Sequence, residues 1–206
     1  LLKEVHHRVK NNLATINAIL NLQKDNLSQE RVMESLEEAK SRIRTIAIVH
    51  EQFYKSNNYK EIDIRTYVEN IFSQLTKNHV AGGTALNIEY EIEIEDMQID
   101  IERAIPYGLI LNELLSNEYK HAFAEGDGGL VRMELYEHEG SYHLILSDNG
   151  VGLPPDFGEI RRSSMGLQIV DSLVSQLGGS ITYRSKNFPD SRTGHSTEIR
   201  LTFPHT

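Results

Sequence analysis

Glu113, Asn117 and His121 recur at intervals of four along the run Leu109 to His121, with Lys120 beside them. Residues four apart share a helix face, so these side chains would form one polar stripe on an otherwise apolar helix. A carboxylate, an amide, an ammonium and an imidazole in one row suit a metal-bound phosphate ligand. An amide oxygen can ligate Mg²⁺, which takes oxygen donors and keeps several of its waters, and Lys and His can face phosphate oxygens. The same run also fits a helix with one exposed side, and the segment alone does not separate the two. A second cluster is Asp148-Asn149-Gly150-Val151-Gly152, a carboxylate at the end of an apolar run followed by two spaced glycines. It reads as a ligand-facing loop, because glycine permits close backbone approach. Gly166, near the start of a helix opening at Met165, would offer backbone N–H groups to phosphate. The third candidate lies in Glu4-Val5-His6-His7-Arg8. At about 100° per residue, His6 falls roughly 60° from the centre of the local apolar stripe and His7 roughly 160° from it. His6 therefore flanks a core. His7 faces solvent and has no packing role, which makes it the better candidate for chemistry, with Glu4 and Asn11 in reach to fix its tautomer.

The elements that must position these groups follow from periodicity. Leu2, Val5, Val9, Leu13, Ile16 and Leu20 form one helical stripe. Asp25 to Ser28 interrupts it, and Val32, Leu36, Ala39, Ile43, Ile46, His50 and Phe53 resume it in a heptad register. A short link makes the two helices antiparallel neighbours. Alone they bury little surface, and a four-helix bundle formed by dimerisation would supply the missing core. Beyond them the pattern alternates. A short strand at Glu61–Ile64 precedes a helix face of Tyr67, Ile71 and Leu75. Asn87 to Glu95 alternates strictly, a half-buried strand with one acidic, solvated face. A helix is expected from about Glu102 to Phe123. Strands at Leu130–Glu137 and Tyr142–Ser147 join through Glu139-Gly140, a hairpin signal. Residues 154–164 read as a mobile segment in which Arg161 and Arg162 are solvated. A helix from Met165 ends at Gly178-Gly179, and strands at Ser180–Ser185 and Thr197–Phe203 close the chain. The expected fold class is α+β: a helical hairpin over residues 1–57, then a two-layer α/β sandwich with a mixed sheet over 58–206.

Composition supports that division. The 206 residues carry a net charge of −9. Residues 1–57 hold nine Lys and Arg against seven Asp and Glu, a net +2, and the remainder carries −11. A chain this acidic is a poor binder of nucleic acid, which needs clustered Lys and Arg. Cysteine is absent, which excludes disulfides, thiolate catalysis and Cys-ligated metals. No apolar run approaches the ~20 residues that span a bilayer, and there is no signal-peptide pattern at the start. Membrane contact is not expected of this stretch, and a cytoplasmic location is the default.

Five blocks then agree in order and spacing, and together they resemble the dimerisation and catalytic core of a sensor histidine kinase. Glu4 to Asn11 looks like the His-box of the subfamily with a His-Arg-x-Lys-Asn signature. Residues 112–121 look like the N-box, Asp148-x-Gly150-x-Gly152 like the G1 box, Met165-Gly166-Leu167 like the G2 box, and Gly194 to Thr197 like the final Gly-Thr box. The resemblance implies a Bergerat-type ATP-binding fold using ATP and Mg²⁺. It implies that Asp148 accepts from the adenine amino group, with Thr197 assisting, and that Gly150 and Gly152 let the backbone approach the nucleotide. Asn117 would ligate Mg²⁺. Lys120 and His121 would contact phosphates, as would the backbone amides of Gly166 and Leu167, and residues 153–164 would form a lid. Glu113 matches a general-base position of related ATPases and here would polarise or position the nucleophile. His7 would take the γ-phosphoryl group and pass it to a response-regulator aspartate, in a homodimer. Glu118 departs from the pattern, because the family usually has a small residue there. It favours the competing reading, a dimeric signalling scaffold that has lost activity. Two other relatives of the nucleotide fold, a chaperone or topoisomerase ATPase and an anti-sigma-factor serine kinase, would lack the leading hairpin.

Overall fold

The computed structural model describes residues 29–55, 61–81, 88–123, 128–186 and 196–205. The first expected helix, with His6 and His7, and the Gly194-His195 pair lie outside the described residues.

The chain enters as a long helix, α1 (Gln29–Lys55), followed by β1 (Glu61–Asp63), α2 (Ile64–Ala81), β2 (Ile88–Ile94), β3 (Gln98–Asp100) and α3 (Ile101–Asn117). The carboxylate of Asp100 caps α3 by accepting from the N–H of Glu102 at 2.7 Å. Helix α3 does not run on to Phe123 as periodicity predicts. It passes into a π-helical turn at Glu118–Ala122, and that change of winding reshapes the site below. Then come β4 (Gly129–His138), β5 (Ser141–Asp148), α4 (Phe157–Ser163), α5 (Met165–Gln176), β6 (Ser180–Lys186) and β7 (Ser196–Pro204).

Five strands form one sheet in the order β2-β4-β5-β7-β6, with β2 parallel to β4 and the other neighbours antiparallel. The β4–β5 hairpin turns at Glu139 (φ 51°) and Gly140 (φ 71°), the two positive values a tight hairpin turn of the I′ kind requires. One sheet face is apolar by period two: Val131, Met133 and Leu135 on β4, Tyr142, Leu144 and Leu146 on β5, and Ile199, Leu201 and Phe203 on β7 are all buried. Helices α2, α3 and α5 cover that face and share one core with it. β1 and β3 pair separately, with Ile62 opposite Ile99. On β2 the acidic face is exposed, as the alternation predicts: Glu89, Glu91 and Glu93 point to solvent. The result is the expected two-layer α+β arrangement with a mixed sheet.

The packing of α2 on α3 is tightest at Gly108. A Cβ there would lie 1.6 Å from the Tyr67 hydroxyl, and Tyr67 is fully buried and donates to the Ala104 carbonyl at 3.0 Å. Gly108→Ala is therefore expected to cost about 1–3 kcal/mol by overpacking, read as a lowered denaturation midpoint. Gly158→Ala, in a helix where an added Cβ meets nothing within 4 Å, should be neutral or stabilising by up to ~1 kcal/mol.

Candidate active site

Helix α1 meets α3 through a polar seam. Arg42 has no exposed surface, and its guanidinium grips Glu113 in bidentate fashion, Nε to Oε1 at 2.7 Å and Nη2 to Oε2 at 2.9 Å. Burial alone would lower the Arg42 pKa, but the hydrogen bond and charge of Glu113, with Glu38 adding, more than offset it and raise it. Directly beside this pair, Ser41 donates to Asn112 Oδ1 at 2.8 Å, and the Thr45 hydroxyl reaches the same oxygen at 3.4 Å. Glu38, four residues before Arg42, pairs with Lys120. Glu38, Arg42, Thr45 and Val49 thus form the face of α1 that docks on the α/β layer. Leu36 and Ile43, from the heptad stripe, are 46% and 44% exposed.

Beyond this seam lies a cavity of about 640 Å³, walled by α3, the π-helical turn, the loop after β5, α4, α5 and strands β6 and β7. Its wall is mostly apolar, including Leu114, Leu153, Leu167, Tyr183 and Ile199, with Asn117, Glu118, His121, Ser164, Ser185 and Thr197 as polar points. Gly152 turns the loop with φ 77°. The close approach is at Gly150, where a Cβ would sit 2.0 Å from the Ala122 carbonyl, the same carbonyl that accepts from the Val151 N–H at 2.9 Å. The loop is thereby pinned to the π-helical turn.

Helix α4 closes the cavity, in the stretch expected to be mobile. Arg161 does not sit in a solvated loop. It pairs with Asp171 of α5 (Nη2 to Oδ1 2.7 Å, Nε to Oδ2 3.0 Å) and lies 4.8 Å from the centroid of the Tyr183 ring. Phe157 packs on the same ring at 5.1 Å. These contacts give the segment a defined position.

At the inner end two carboxyls meet. Glu118 and Asp148 are 6% and 2% exposed, and each bears on the ionisation of the other. Burial, and then the charge of Asp148, push the Glu118 pKa well above the usual carboxyl range. Burial also raises Asp148, against the lowering effect of the Gly150 N–H, which donates to Oδ1 at 2.7 Å, and of Thr197 opposite on β7. Tyr90 of β2 and Tyr119 of the same turn complete the surroundings.

These observations coincide with known proteins. A family model described as histidine kinase matches residues 4–79, and one described as histidine kinase-, DNA gyrase B- and HSP90-like ATPase matches residues 102–206. The chain belongs to the histidine kinase family. The sensor histidine kinase PdtaS of Mycolicibacterium smegmatis is 33% identical over 186 residues, covering 87% of this chain and 36% of that protein. Blue-light-activated histidine kinase 2 of Erythrobacter litoralis is 25% identical over 208 residues, covering 98% and 56%. The histidine kinase domain of the E. litoralis EL346 blue-light-activated kinase superposes with a TM-score of 0.70 at 21% identity, covering 92% and 93%, a likeness of fold. The kinase core spans about a third of the length of the PdtaS proteins it matches.

The candidate residues divide within this kinase core. Asn117, His121, Gly152, Leu167 and Thr197 line the cavity. Asp148 and Gly150 lie behind its wall. Glu113 and Lys120 stand at the seam, held by Arg42 and Glu38, and Gly166 sits beside them, where an added Cβ would be 2.6 Å from Glu113 Oε2. The sequence expectation of one straight polar stripe fails at the π-helical turn. A π turn closes i→i+5 hydrogen bonds, so side chains after Asn117 fall out of the α-helical row. His121 is exposed, whereas Glu118, whose N–H still bonds the Leu114 carbonyl in the α-helical manner, stays on the buried side with Leu111, Leu114 and Leu115, rather than facing the solvent that would have made a carboxylate there harmless. Arg42 was not among the sequence candidates. Its only signal was a basic residue next to the apolar stripe, which ordinarily marks a solvated flank.

Two outcomes are expected. Arg42→Met leaves Glu113 buried and unpaired and should cost about 3–5 kcal/mol in chemical denaturation, most of it recovered in Arg42→Met/Glu113→Gln. A carboxyl whose pKa is raised on folding holds its proton more tightly folded than unfolded. The contribution of Glu118 is therefore greatest below its ordinary value of 4.5 and is lost as pH rises from there toward the raised value. Denaturation midpoints should fall as pH rises above that ordinary value, and Glu118→Gln should flatten the slope.

Proposed function

We propose that this chain is a histidine kinase core that uses Mg²⁺-ATP to phosphorylate His7 and passes the phosphoryl group to an aspartate of a response-regulator receiver domain. The supporting observation is the cavity of about 640 Å³, of a size that suits a nucleotide, with Asn117, His121 and Thr197 on an apolar wall beneath a helical lid. Residues 1–57 would be the dimerisation and phosphoacceptor module, and residues 58–206 the ATP-binding module. The exposed Leu36 and Ile43, seven apart on α1, support a homodimer in which a helical bundle covers them. A cytoplasmic position would give the core access to ATP and to the receiver domain.

In this reading the walls of Leu153, Tyr183 and Ile199 flank the base, and the inner carboxyl end recognises it with Thr197. Asn117 and His121 lie toward the phosphates, with the backbone of Gly166 and Leu167 at the start of α5. Among the described residues no group of three or more His, Asp or Glu side chains could hold a metal. That fits Mg²⁺, which keeps waters and takes substrate phosphate oxygens alongside a single protein donor, here the Asn117 amide. The metal supplies charge neutralisation at the phosphates. His7 forms the new bond to the γ-phosphorus as the bond to the bridging oxygen breaks and ADP leaves, a transfer that rests on positioning and charge. Lys120 reaches phosphate by leaving Glu38, and Glu113 acts on the nucleophile by leaving Arg42, so engagement of α1 and catalysis compete for the same two side chains.

Incubation with Mg²⁺ and γ-labelled ATP should give acid-labile, base-stable label. Asn117→Ala should reduce it at least about tenfold, His7→Gln should abolish it, and His6→Gln should retain it. Label kept in His7→Gln and lost in His6→Gln moves the acceptor. ATP binding without label supports the scaffold reading, for which the buried Glu118 is the specific observation.

A further inference from the structure

Helix α4 covers the cavity, yet little of the usual kind holds it there. It is seven residues long and none of its residues is buried, so it has no core face, and a helix this short is marginal by itself. Its attachments converge on one place. Arg161 forks onto Asp171 of α5, with Nη2 to Oδ1 at 2.7 Å and Nε to Oδ2 at 3.0 Å, and the same guanidinium lies 4.8 Å from the centroid of the Tyr183 ring. Phe157, four residues earlier, packs on that ring at 5.1 Å. Gln168 of α5 donates to the Arg162 carbonyl at 2.6 Å. Tyr183 is thus both a wall of the cavity and an anchor of the helix over it. It anchors through its ring, since its buried hydroxyl finds no hydrogen-bond partner among the described residues. The segment has a joint at each end. Gly152 turns with φ 77°, and Ser164 is a single extended residue (φ −74°, ψ 121°) between α4 and α5.

We propose that Arg161, Asp171 and Tyr183 form a latch that holds α4 shut before a nucleotide enters as well as after, so that release of the latch sets the rate of nucleotide exchange. This deepens the ATP reading and rests on it. Guanidinium, carboxylate and ring all belong to the chain, so closure has a driving force of its own. Pro155, Phe157 and Ile160 stand on the cavity wall, and a closed α4 therefore bars entry along that side. The latch is also weak enough to open. Its ion pair is 34% and 39% exposed, and an exposed pair and a ring contact each contribute modestly. Opening is then a local event about the two joints, with the core intact. The same contacts hold α4 over an empty and an occupied cavity, so they slow entry and exit by one factor and leave affinity nearly unchanged. A lid that closed only on bound nucleotide would slow exit alone.

The test is stopped-flow binding and chase of methylanthraniloyl-labelled ADP with Mg²⁺, a probe with which no phosphoryl transfer intrudes. Arg161→Met and Asp171→Asn should each speed association and dissociation together, by about threefold or more. The dissociation constant should stay within about twofold of wild type, because both rates move together. The double variant should be no faster than Arg161→Met, since both substitutions break the same latch. Arg132→Met, which loses an ion pair with Glu91 outside the cavity, should leave both rates unchanged. Hydrogen exchange without nucleotide reads the helix directly. Residues 157–164 should be protected in wild type and exchange faster in Arg161→Met, with α3 unaltered. Faster dissociation with unchanged association, or wild-type residues 157–164 exchanging like an open chain, overturns closure before entry. Rates unmoved in both single variants overturn the latch. Each of these results leaves the ATP site standing. Failure of wild type to bind labelled ADP or ATP overturns the ATP reading and the role in exchange with it.

Discussion

A guanidinium with no exposed surface cannot stand alone, and Arg42 settles the architecture of this molecule by finding Glu113. The two groups have lost their water, so their bidentate geometry must hold. Around them the seam between α1 and α3 is unusually polar: Asn112 takes hydroxyls from Ser41 and Thr45, and Lys120 takes Glu38. A slick apolar contact would let α1 slide or rotate on α3. A polar seam with directional bonds fixes one register of α1 on α3, beside the cavity. The cost is that Glu113 and Lys120, two of the four charged or basic groups in residues 112–121, are engaged before any substrate arrives.

The second constraint follows from the π-helical turn at Glu118–Ala122. Had the α-helix continued, residues 113, 117 and 121 would share one row, and Glu118 would lie on a neighbouring strip of the surface. The wider turn begins after Asn117: Glu113 stands at the seam, Asn117 faces the cavity, Glu118 remains on the buried side, and His121 is left exposed. The Ala122 carbonyl, at the end of the turn, is the one that holds Val151 and limits residue 150 to glycine. The turn and the loop after β5 are therefore one structural unit.

Most of the fold was legible because its elements are periodic. The alternation of β2, the Glu139-Gly140 hairpin and the Gly178 helix end (φ 67°) are local events, decided by side-chain period and positive dihedrals. The cavity residues Asn117, Gly152, Leu167 and Thr197 were legible for a different reason: they sit in short spaced patterns whose chemistry is recognisable in one dimension. What was not legible depends on contacts far apart in sequence. Arg42 reads as a solvated flank until a carboxylate 71 residues away is brought to it. Arg161 reads as a loop arginine until Asp171 and Tyr183 close on it. His121 reads as the end of one polar row until the winding of the helix is known, since an α-helix and a π turn send the same residue to different places.

The distribution of charge takes its meaning from the same contacts. A net of −11 on residues 58–206 looks hostile to a triphosphate, yet much of it stands on the open face of β2, with its glutamates directed to solvent. The charge that matters sits at the two ends of the cavity, and each end handles it locally. At the seam, Arg42 neutralises Glu113 and Glu38 is shared with Lys120. At the other end, Glu118 and Asp148 lie close together in a low-dielectric enclosure that penalises ionisation and raises the pKa of both. In the proposed reading, the positive charge needed at the phosphates would come from the metal, from backbone N–H groups at the start of α5, and from Lys120 once it leaves Glu38, so the position of α1 would control how attractive the phosphate end is.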